Sequence, residues 1–171
     1  MNDQPANSCD YKVDAPYPPI QVVGPSTVYA CEMLSNMGDV VSEMSDVVRY
    51  FYISVVTKAQ SEWISACFHH ISLVEMHHLN IFAEFSVLLG ADPRLWSGRG
   101  CMRWWSPSFI GYPCELRSLV AESIKAEEAA IRKYSQQANT IFDENIVAML
   151  KRIIRDEERH LQIFRELYRQ L

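Results

Sequence analysis

Two Glu-x-x-His pairs, one in each half of the chain, constrain the fold more than any other feature of the sequence. They are Glu75 with His78 and Glu157 with His160, and each lies in a stretch whose apolar residues recur every three or four positions. Because residues three apart on an α-helix are neighbours on one face, each pair can present a carboxylate and an imidazole to a common ion. The sequence therefore predicts helices that turn these side chains inward towards a metal.

Apolar residues at helical spacing predict a first pair of antiparallel helices. Helix one runs from Val28 to about Val56, and a short polar break at 58–61 leads into helix two, which ends at Gly90. A glycine directly after a helix is the residue type that most readily adopts the left-handed conformation of a C-terminal cap. Since the connection is short, the two helices are expected to lie side by side and antiparallel.

The second half of the chain predicts another antiparallel pair. Helix three begins near Cys114, and helix four follows the short segment 142–145. Between the two pairs, residues 91–113 lose the helical pattern but are too apolar and aromatic for a flexible linker, so we interpret them as an ordered crossover running the length of a bundle. Three tryptophans are expected to pack this crossover onto the helices. They are Trp96, Trp104 and Trp105.

The start of the chain differs in composition from the rest. Residues 1–26 include four prolines between positions 16 and 25. Proline disfavours a helix interior, so we predict an extended arm over 1–26, followed by an all-α four-helix bundle over 27–171 in which a long crossover joins two antiparallel helix pairs.

Hairpin geometry supplies a further ligand to each Glu-x-x-His pair. In an antiparallel helical hairpin, residues at equal distances from the turn lie level, so a turn near residue 59 places Glu75 level with Glu43. A turn near residue 143 places Glu157 level with the neighbourhood of Glu127 and Glu128. Glu127 fits the inner apolar stripe better, and Glu128 is the alternative.

The predicted metal-binding and catalytic set therefore contains four carboxylates and two imidazoles: Glu43, Glu75, His78, Glu127, Glu157 and His160. Six such side chains can hold two ions, and oxygen-rich ligation with some imidazole favours iron or manganese. Buried carboxylates placed close together would repel one another strongly without compensating cations. We therefore predict two Fe or two Mn ions as the cofactor, and we assign no haem, because methionines at helical spacing are typical core residues.

Composition excludes several other classes of protein. The net charge is −5 with acidic and basic residues intermixed, so no basic stripe is present for a nucleic acid. The first residues lack a basic segment followed by an apolar run, and the apolar segments elsewhere are interrupted by charge or histidine, so we expect a soluble cytoplasmic protein with no membrane contact. Five cysteines without a Cys-x-x-Cys pair give no support for a rubredoxin-type site.

Residues 27–171, with the adjoining end of the arm, resemble the ferritin-like superfamily of di-metal carboxylate proteins. Segments 17–22, 42–50 and 74–79 are similar to manganese catalases and spore-coat relatives, whereas 126–134 and 155–161 are similar to rubrerythrins. This resemblance implies a four-helix bundle, a bridging carboxylate at Glu75 or Glu127, and reaction of the reduced metal pair with peroxide or dioxygen.

Two departures from these relatives narrow the function that the resemblance implies. Ala130 stands where rubrerythrins carry a further glutamate, and no fifth helix of the ferritin type follows Leu171. The leading hypothesis is a peroxidase-like or catalase-like oxidoreductase, expected to form a homo-oligomer and to need a separate electron donor if it is a peroxidase. The alternatives are an iron-storage protein with a ferroxidase site and a structural, spore-coat-type metal-binding protein.

Overall fold

The computed structural model describes residues 11–97 and 103–171, and it is a bundle of helices with one small hairpin of strands. The elements in chain order are α1 (Thr27–Gly38), α2 (Glu43–Thr57), α3 (Glu62–Leu88), β1 (Trp96–Ser97), β2 (Arg103–Trp104), a 3-10 turn (Pro107–Phe109), α4 (Leu116–Thr140) and α5 (Glu144–Gln170). Helices α1 and α2 both pack on α3, and α4 packs on α5. The predicted all-α, ferritin-like bundle of two antiparallel helix pairs is confirmed.

The first rod of the bundle is interrupted, whereas the sequence predicted one helix from Val28 to about Val56. Helix α1 ends at Gly38, and Ser42 caps α2 by accepting a hydrogen bond from the Ser45 amide. The ammonium group of Lys133 donates to the carbonyls of Ser35 and Val41, at 2.9 and 2.7 Å, and so satisfies backbone groups near the break. The prediction was wrong because the apolar periodicity continues across the break, while the partner that stabilises it is far away in sequence.

Gly38 occupies the position where the crossover passes closest to α1. A Cβ atom there would lie 2.8 Å from the Trp96 amide nitrogen and 2.9 Å from the Leu95 carbonyl carbon. Both neighbours are backbone atoms that cannot rotate away, so any side chain would force the helix and the crossover apart. The residue type at this position therefore sets how closely the crossover approaches the bundle.

The crossover is ordered on both sides of residues 98–102, which lie outside the described part. Trp105 contacts the bundle as predicted, since its indole nitrogen donates to the Ser45 hydroxyl over 3.1 Å. Trp104 does not, because it is 56% exposed and packs against Trp96 of the paired strand, with ring centroids 5.4 Å apart. The strand pairing, which the sequence did not indicate, turns Trp104 away from the helices.

Two apolar clusters fill the interior and leave a polar layer between them. One cluster contains Met33, Phe82 and Tyr134 with residues of α5, and the other contains Tyr50, Phe68 and Phe164. No helix within 11–97 or 103–171 has the length and apolar character needed to cross a membrane. The two clusters hold the helices rigidly above and below the layer in which the charged residues are buried.

Residues 11–26 contain no helix or strand and lie against α3 and α5; the first ten residues of the predicted arm over 1–26 lie outside the described part, and the division of the chain at residue 26 stays a prediction. Arg152 on α5 donates to the carbonyls of Val13 and Ala15 at 2.8 and 3.0 Å, and its guanidinium lies 4.2 Å from the centroid of the Tyr17 ring. The arm is thus fixed to the last helix through its backbone.

A candidate di-metal centre

The six predicted side chains converge in the buried polar layer. They form two groups in which one ligand atom from each residue lies within 4.8 Å of the others. One group is Glu43, Glu75, His78 and Glu157, and the other is Glu75, Glu127, Glu157 and His160. Every member is at most 2% exposed, so these charges have left water together.

Glu75 and Glu157 belong to both groups, and each directs a different oxygen at each half. Glu75 places Oε2 3.1 Å from His78 Nδ1 and Oε1 2.9 Å from His160 Nδ1. Glu157 places Oε1 3.1 Å from His78 Nδ1 and Oε2 3.1 Å from His160 Nδ1. Two carboxylates placed in this way could each be shared between two ions. The sequence resemblance implied Glu75 or Glu127 as the bridge; Glu75 and Glu157 belong to both groups, whereas Glu127 belongs to one.

The outer nitrogen of each histidine is held by a partner that fixes which nitrogen faces the centre. His160 Nε2 donates to the Tyr11 carbonyl over 2.8 Å, and because a carbonyl only accepts, a neutral His160 leaves Nδ1 free to bind a metal. His78 Nε2 lies 3.2 Å from Asp156 Oδ2 and 3.3 Å from the Tyr17 hydroxyl. Both imidazoles therefore present Nδ1 to the shared carboxylates.

Asp156 joins the arm to the centre. It accepts hydrogen bonds from the Val13 amide at 2.7 Å and from the Tyr17 hydroxyl at 2.6 Å, and it pairs with Arg152 at 2.7 Å. Burial opposes ionisation, but the hydrogen bonds from His78, Arg152 and Tyr17 hold the pKa of Asp156 well below its usual range. Asp156 is therefore a fixed negative charge behind His78.

A tyrosine on the opposite helix pair supports each terminal carboxylate. Tyr134 on α4 donates to Glu43 on α2, and Tyr50 on α2 donates to Glu127 on α4 over 2.6 Å. Burial, together with the neighbouring glutamates, raises the pKa of both phenols well above the usual value, so they remain hydrogen-bond donors. Each tyrosine stands seven positions after a terminal glutamate, so the two halves of the centre repeat the same pattern of contacts.

The surroundings of both imidazoles favour their protonated forms when no metal is bound. Burial favours the neutral form, yet the charge of Glu75 and the hydrogen bond to Glu157 raise the pKa of His160 to about 10. The charge of Glu157 and the hydrogen bond to Asp156 likewise raise the pKa of His78 well above its usual value, against the effect of burial. The two Nδ1 protons occupy the places from which metal ions would bind the same carboxylates.

Glu43 and Glu127 differ from Glu157 in the direction in which their pKa values are shifted. Burial raises the pKa of Glu43 and of Glu127 well above the usual range, and the other glutamates add to that effect. Burial acts in the same direction on Glu157, but the charge of His78 and the hydrogen bond from His160 hold its pKa well below the usual range. Within the described residues, Glu75 Oε1 and Glu157 Oε1 are buried and have no hydrogen bond of regular geometry, although an imidazole Nδ1 lies 2.9 and 3.1 Å away from them, respectively. Such oxygens need a compensating cation, which fits a metal pair at this position.

All six residues predicted from the sequence are thus brought together, and their roles as metal ligands and catalytic groups stay a prediction. Glu128, the alternative to Glu127, instead bonds Arg165 at the surface over 2.8 Å. Sequence reasoning missed Asp156, the two tyrosines and the contacts that the predicted arm makes with the centre. For Asp156 a local signal exists, since it directly precedes Glu157 and follows Arg152 by four positions, the spacing of a helical ion pair.

The fold and the two buried Glu/His clusters define a ferritin-like di-metal carboxylate protein. A family model described as Rubrerythrin matches residues 39–168, a span that includes all six clustered residues. The chain therefore belongs to the rubrerythrin family. No curated protein matches the chain significantly.

Solved structures of other proteins share this fold. Two crystal structures of KatB, a manganese catalase from Anabaena, match with a TM-score of 0.83 at 17% identity, covering 92% of this chain and 78% of theirs. The bacterioferritin BfrA of Mycobacterium tuberculosis matches with a TM-score of 0.70 at 16% identity, covering 85% of this chain and 87% of its own. A Desulfovibrio desulfuricans bacterioferritin, described as having a diiron site, matches with a TM-score of 0.68 at 19% identity, covering 83% and 79%. At these identities the likeness establishes the fold.

Proposed function

We propose that this protein is a di-iron or di-manganese oxidoreductase that acts on hydrogen peroxide or dioxygen, with catalase-like disproportionation of peroxide as the leading activity. The observation that carries the proposal is the pair of doubly directed carboxylates, Glu75 and Glu157, between two inward-facing imidazole nitrogens. The similarity to a manganese catalase in fold supports it.

The residues of the chain would hold the metals in unequal surroundings. One ion would be held by Glu43 and His78 and the other by Glu127 and His160, with Glu75 and Glu157 common to both. When bound, iron or manganese supplies Lewis acidity and the electrons for peroxide chemistry. Asp156 would make His78 the more basic imidazole, because a carboxylate behind a ligating histidine strengthens its donor nitrogen more than a neutral carbonyl does.

The surroundings also fix the protons and exclude bulk water. Tyr50 and Tyr134 keep the terminal carboxylates oriented, and their raised pKa values keep the phenolic protons in place at neutral pH. Apolar residues close the layer above and below, so interactions between charges inside it are strong.

Oxygen evolution from peroxide is the direct test. Protein loaded with manganese or with iron is mixed with hydrogen peroxide, and oxygen is measured without any electron donor. Steady evolution supports the catalase-like reading, and turnover only with an added reductant supports the peroxidase-like one. Absence of turnover with either metal at full occupancy would reject the enzyme.

A matched pair of variants separates the centre from the surface. Glu127→Gln and Glu128→Gln make the same change at adjacent positions of α4, the first buried at the centre and the second paired with Arg165 outside it. We expect Glu127→Gln to abolish turnover and Glu128→Gln to retain it. Equal activity of the two variants would contradict the assignment of Glu127.

Iron storage is the second candidate, because the fold is also shared with two bacterioferritins. Storage requires a hollow shell of many subunits that encloses a mineral. Sedimentation of the iron-loaded protein distinguishes the two functions: a dimer or small oligomer carrying about two ions per chain supports the enzyme, and a large shell carrying many more supports storage.

A further inference from the structure

A cleft between α2 and α4 lies beside the metal centre. It has a volume of about 280 Å³ and is lined on the α2 side by Asp46 and Arg49 and on the α4 side by Ala126 and Ala129. A second cavity of about 300 Å³, at the break between α1 and α2, shares Ala129 with it. The two cavities adjoin along α4, beside the interruption of the first rod of the bundle.

The other sides of the centre are covered by residues that the structure describes. One apolar cluster lies above the polar layer and the other below it. On the α3 and α5 side the arm lies over both histidines, since Tyr11 bonds His160 and Tyr17 approaches His78. Among the cavities that residues 11–97 and 103–171 form, the α2–α4 cleft has open volume beside this centre.

The charged residues at the inner end of the cleft interact electrostatically with the glutamates of the centre. Asp46 is 5% exposed, stands one helical turn after Glu43 and forms an ion pair with Arg49. Glu75 and Glu157 lie near enough to raise the pKa of Asp46, in addition to the larger effect of burial. Arg49 Nε is buried, and no hydrogen-bond partner for it is present within 11–97 and 103–171. The cleft therefore ends in an unused polar donor beside the buried glutamates.

The width of the cleft is set by small residues of α4. Ala126 directly precedes Glu127, and Ala129 lies one turn further along the same face, where both the cleft and its neighbouring cavity touch it. A larger side chain at 129 would fill the volume next to the centre. The alanines thus keep this volume open.

We propose that the α2–α4 cleft is the entrance to the di-metal centre for small inorganic molecules, with Asp46 and Arg49 at its inner end and Ala129 as the residue that sets its width. This inference rests on the proposed function only for the identity of the physiological substrate that enters, a peroxide. The geometry of the entrance stands on the cleft and on the cover over the other sides.

The test measures entry without turnover. The iron-loaded protein is mixed with azide, a small anion that coordinates transition metals and gives a coloured complex with iron, and the association rate is followed by stopped-flow absorbance. The blocked variant is Ala129→Phe. The matched control is Ala148→Phe, which makes the same substitution at an exposed alanine that lines a surface cavity on α5, away from the centre.

We expect azide association with Ala129→Phe to slow by about ten-fold or more, the effect of a modestly higher entry barrier, while the final spectrum and metal content match those of the unmodified protein. Ala148→Phe should retain the original rate. Phe109→Ala, which removes a half-buried side chain from the wall of the cleft, should speed association.

Val40→Trp provides the same test if Ala129→Phe fails to load metal, because Val40 lines the cleft from an exposed position, 44% accessible, outside the helices. An unchanged rate of azide association in either blocked variant at full metal occupancy would refute the proposal that the cleft is the entrance. Azide is not consumed, so its binding can be measured independently of peroxide turnover. Slowed azide binding in a protein without peroxide turnover would support the entrance and reject the proposed function. Peroxide turnover together with an unchanged azide rate would support the proposed function and reject the entrance.

Discussion

Loading the metal-free protein with manganese should release protons in a number that the structure determines. His78 and His160 hold protons at neutral pH, because the surrounding carboxylates raise the pKa of both imidazoles. A metal that binds Nδ1 must displace those two protons. Glu43 and Glu127, whose pKa values burial raises, release further protons as they become ligands. The expected release is therefore about two to four protons for each pair of ions.

The sign of the pH dependence follows from this competition. Each displaced proton makes apparent metal affinity rise by about ten-fold per pH unit, as long as the pH is below the pKa of the group concerned. For His160 that window extends from neutrality to about pH 10. Metal binding should therefore tighten steadily from pH 6 to pH 8, with no optimum in between.

Isothermal titration calorimetry in buffers of different ionisation enthalpy measures the count directly. The slope of the observed enthalpy against the buffer enthalpy gives the number of protons released. Glu128→Gln is the control, since its carboxylate lies outside the centre and should leave the slope unchanged. Metal binding at full stoichiometry with no proton release would refute the reasoning, because it would mean that both imidazoles are already neutral.

Three further predictions concern stability and stoichiometry. In the presence of chelator, the free energy of unfolding should fall between pH 6.5 and 8 by up to about 1.4 kcal/mol per pH unit for each of His78 and His160. The reason is that a raised folded-state pKa stabilises the protein below the unfolded pKa, and this stability is lost as the pH rises towards the folded value. Urea unfolding that shows rising stability over this range would contradict the prediction. Glu157→Gln should lose both ions and Glu43→Gln only one, since Glu157 belongs to both ligand groups; equal metal contents by elemental analysis would count against the shared role. Gly38→Ala should destabilise the protein by about 1–3 kcal/mol, because its Cβ atom would contact the backbone of the crossover. The effect should be visible as a lower melting temperature. An unchanged melting temperature would show that the crossover backbone moves to make room.

The positions of the six clustered residues could be predicted because each depends on local geometry. The three-residue spacing within each Glu-x-x-His pair defines a helical face, and a short turn fixes which residues of the neighbouring helix lie level with it. Glu127 was preferred over Glu128 for its place on the apolar stripe, and the structure buries the first and exposes the second to a partner at the surface. No contact between distant parts of the chain was needed for this inference.

The features that could not be predicted all depend on such distant contacts. The break before Glu43 interrupts a continuous apolar pattern and is stabilised by Lys133 from another helix. Tyr11 acts through its backbone carbonyl, which leaves no trace in residue type. Glu157 directs one oxygen to His78 and the other to His160 because α5 packs against α3 in this register. The spacing of residues along one helix does not reveal the register between two helices.

The arm has a consequence for how the protein matures in the cell. Tyr11 and Tyr17 are synthesised well before the groups that hold them, His160 and Asp156 on α5. Neither histidine can be locked in its final orientation until α5 has been made and has folded against the arm. Metal insertion in the native coordination therefore follows the synthesis of α5, and the arm closes a centre that α5 completes.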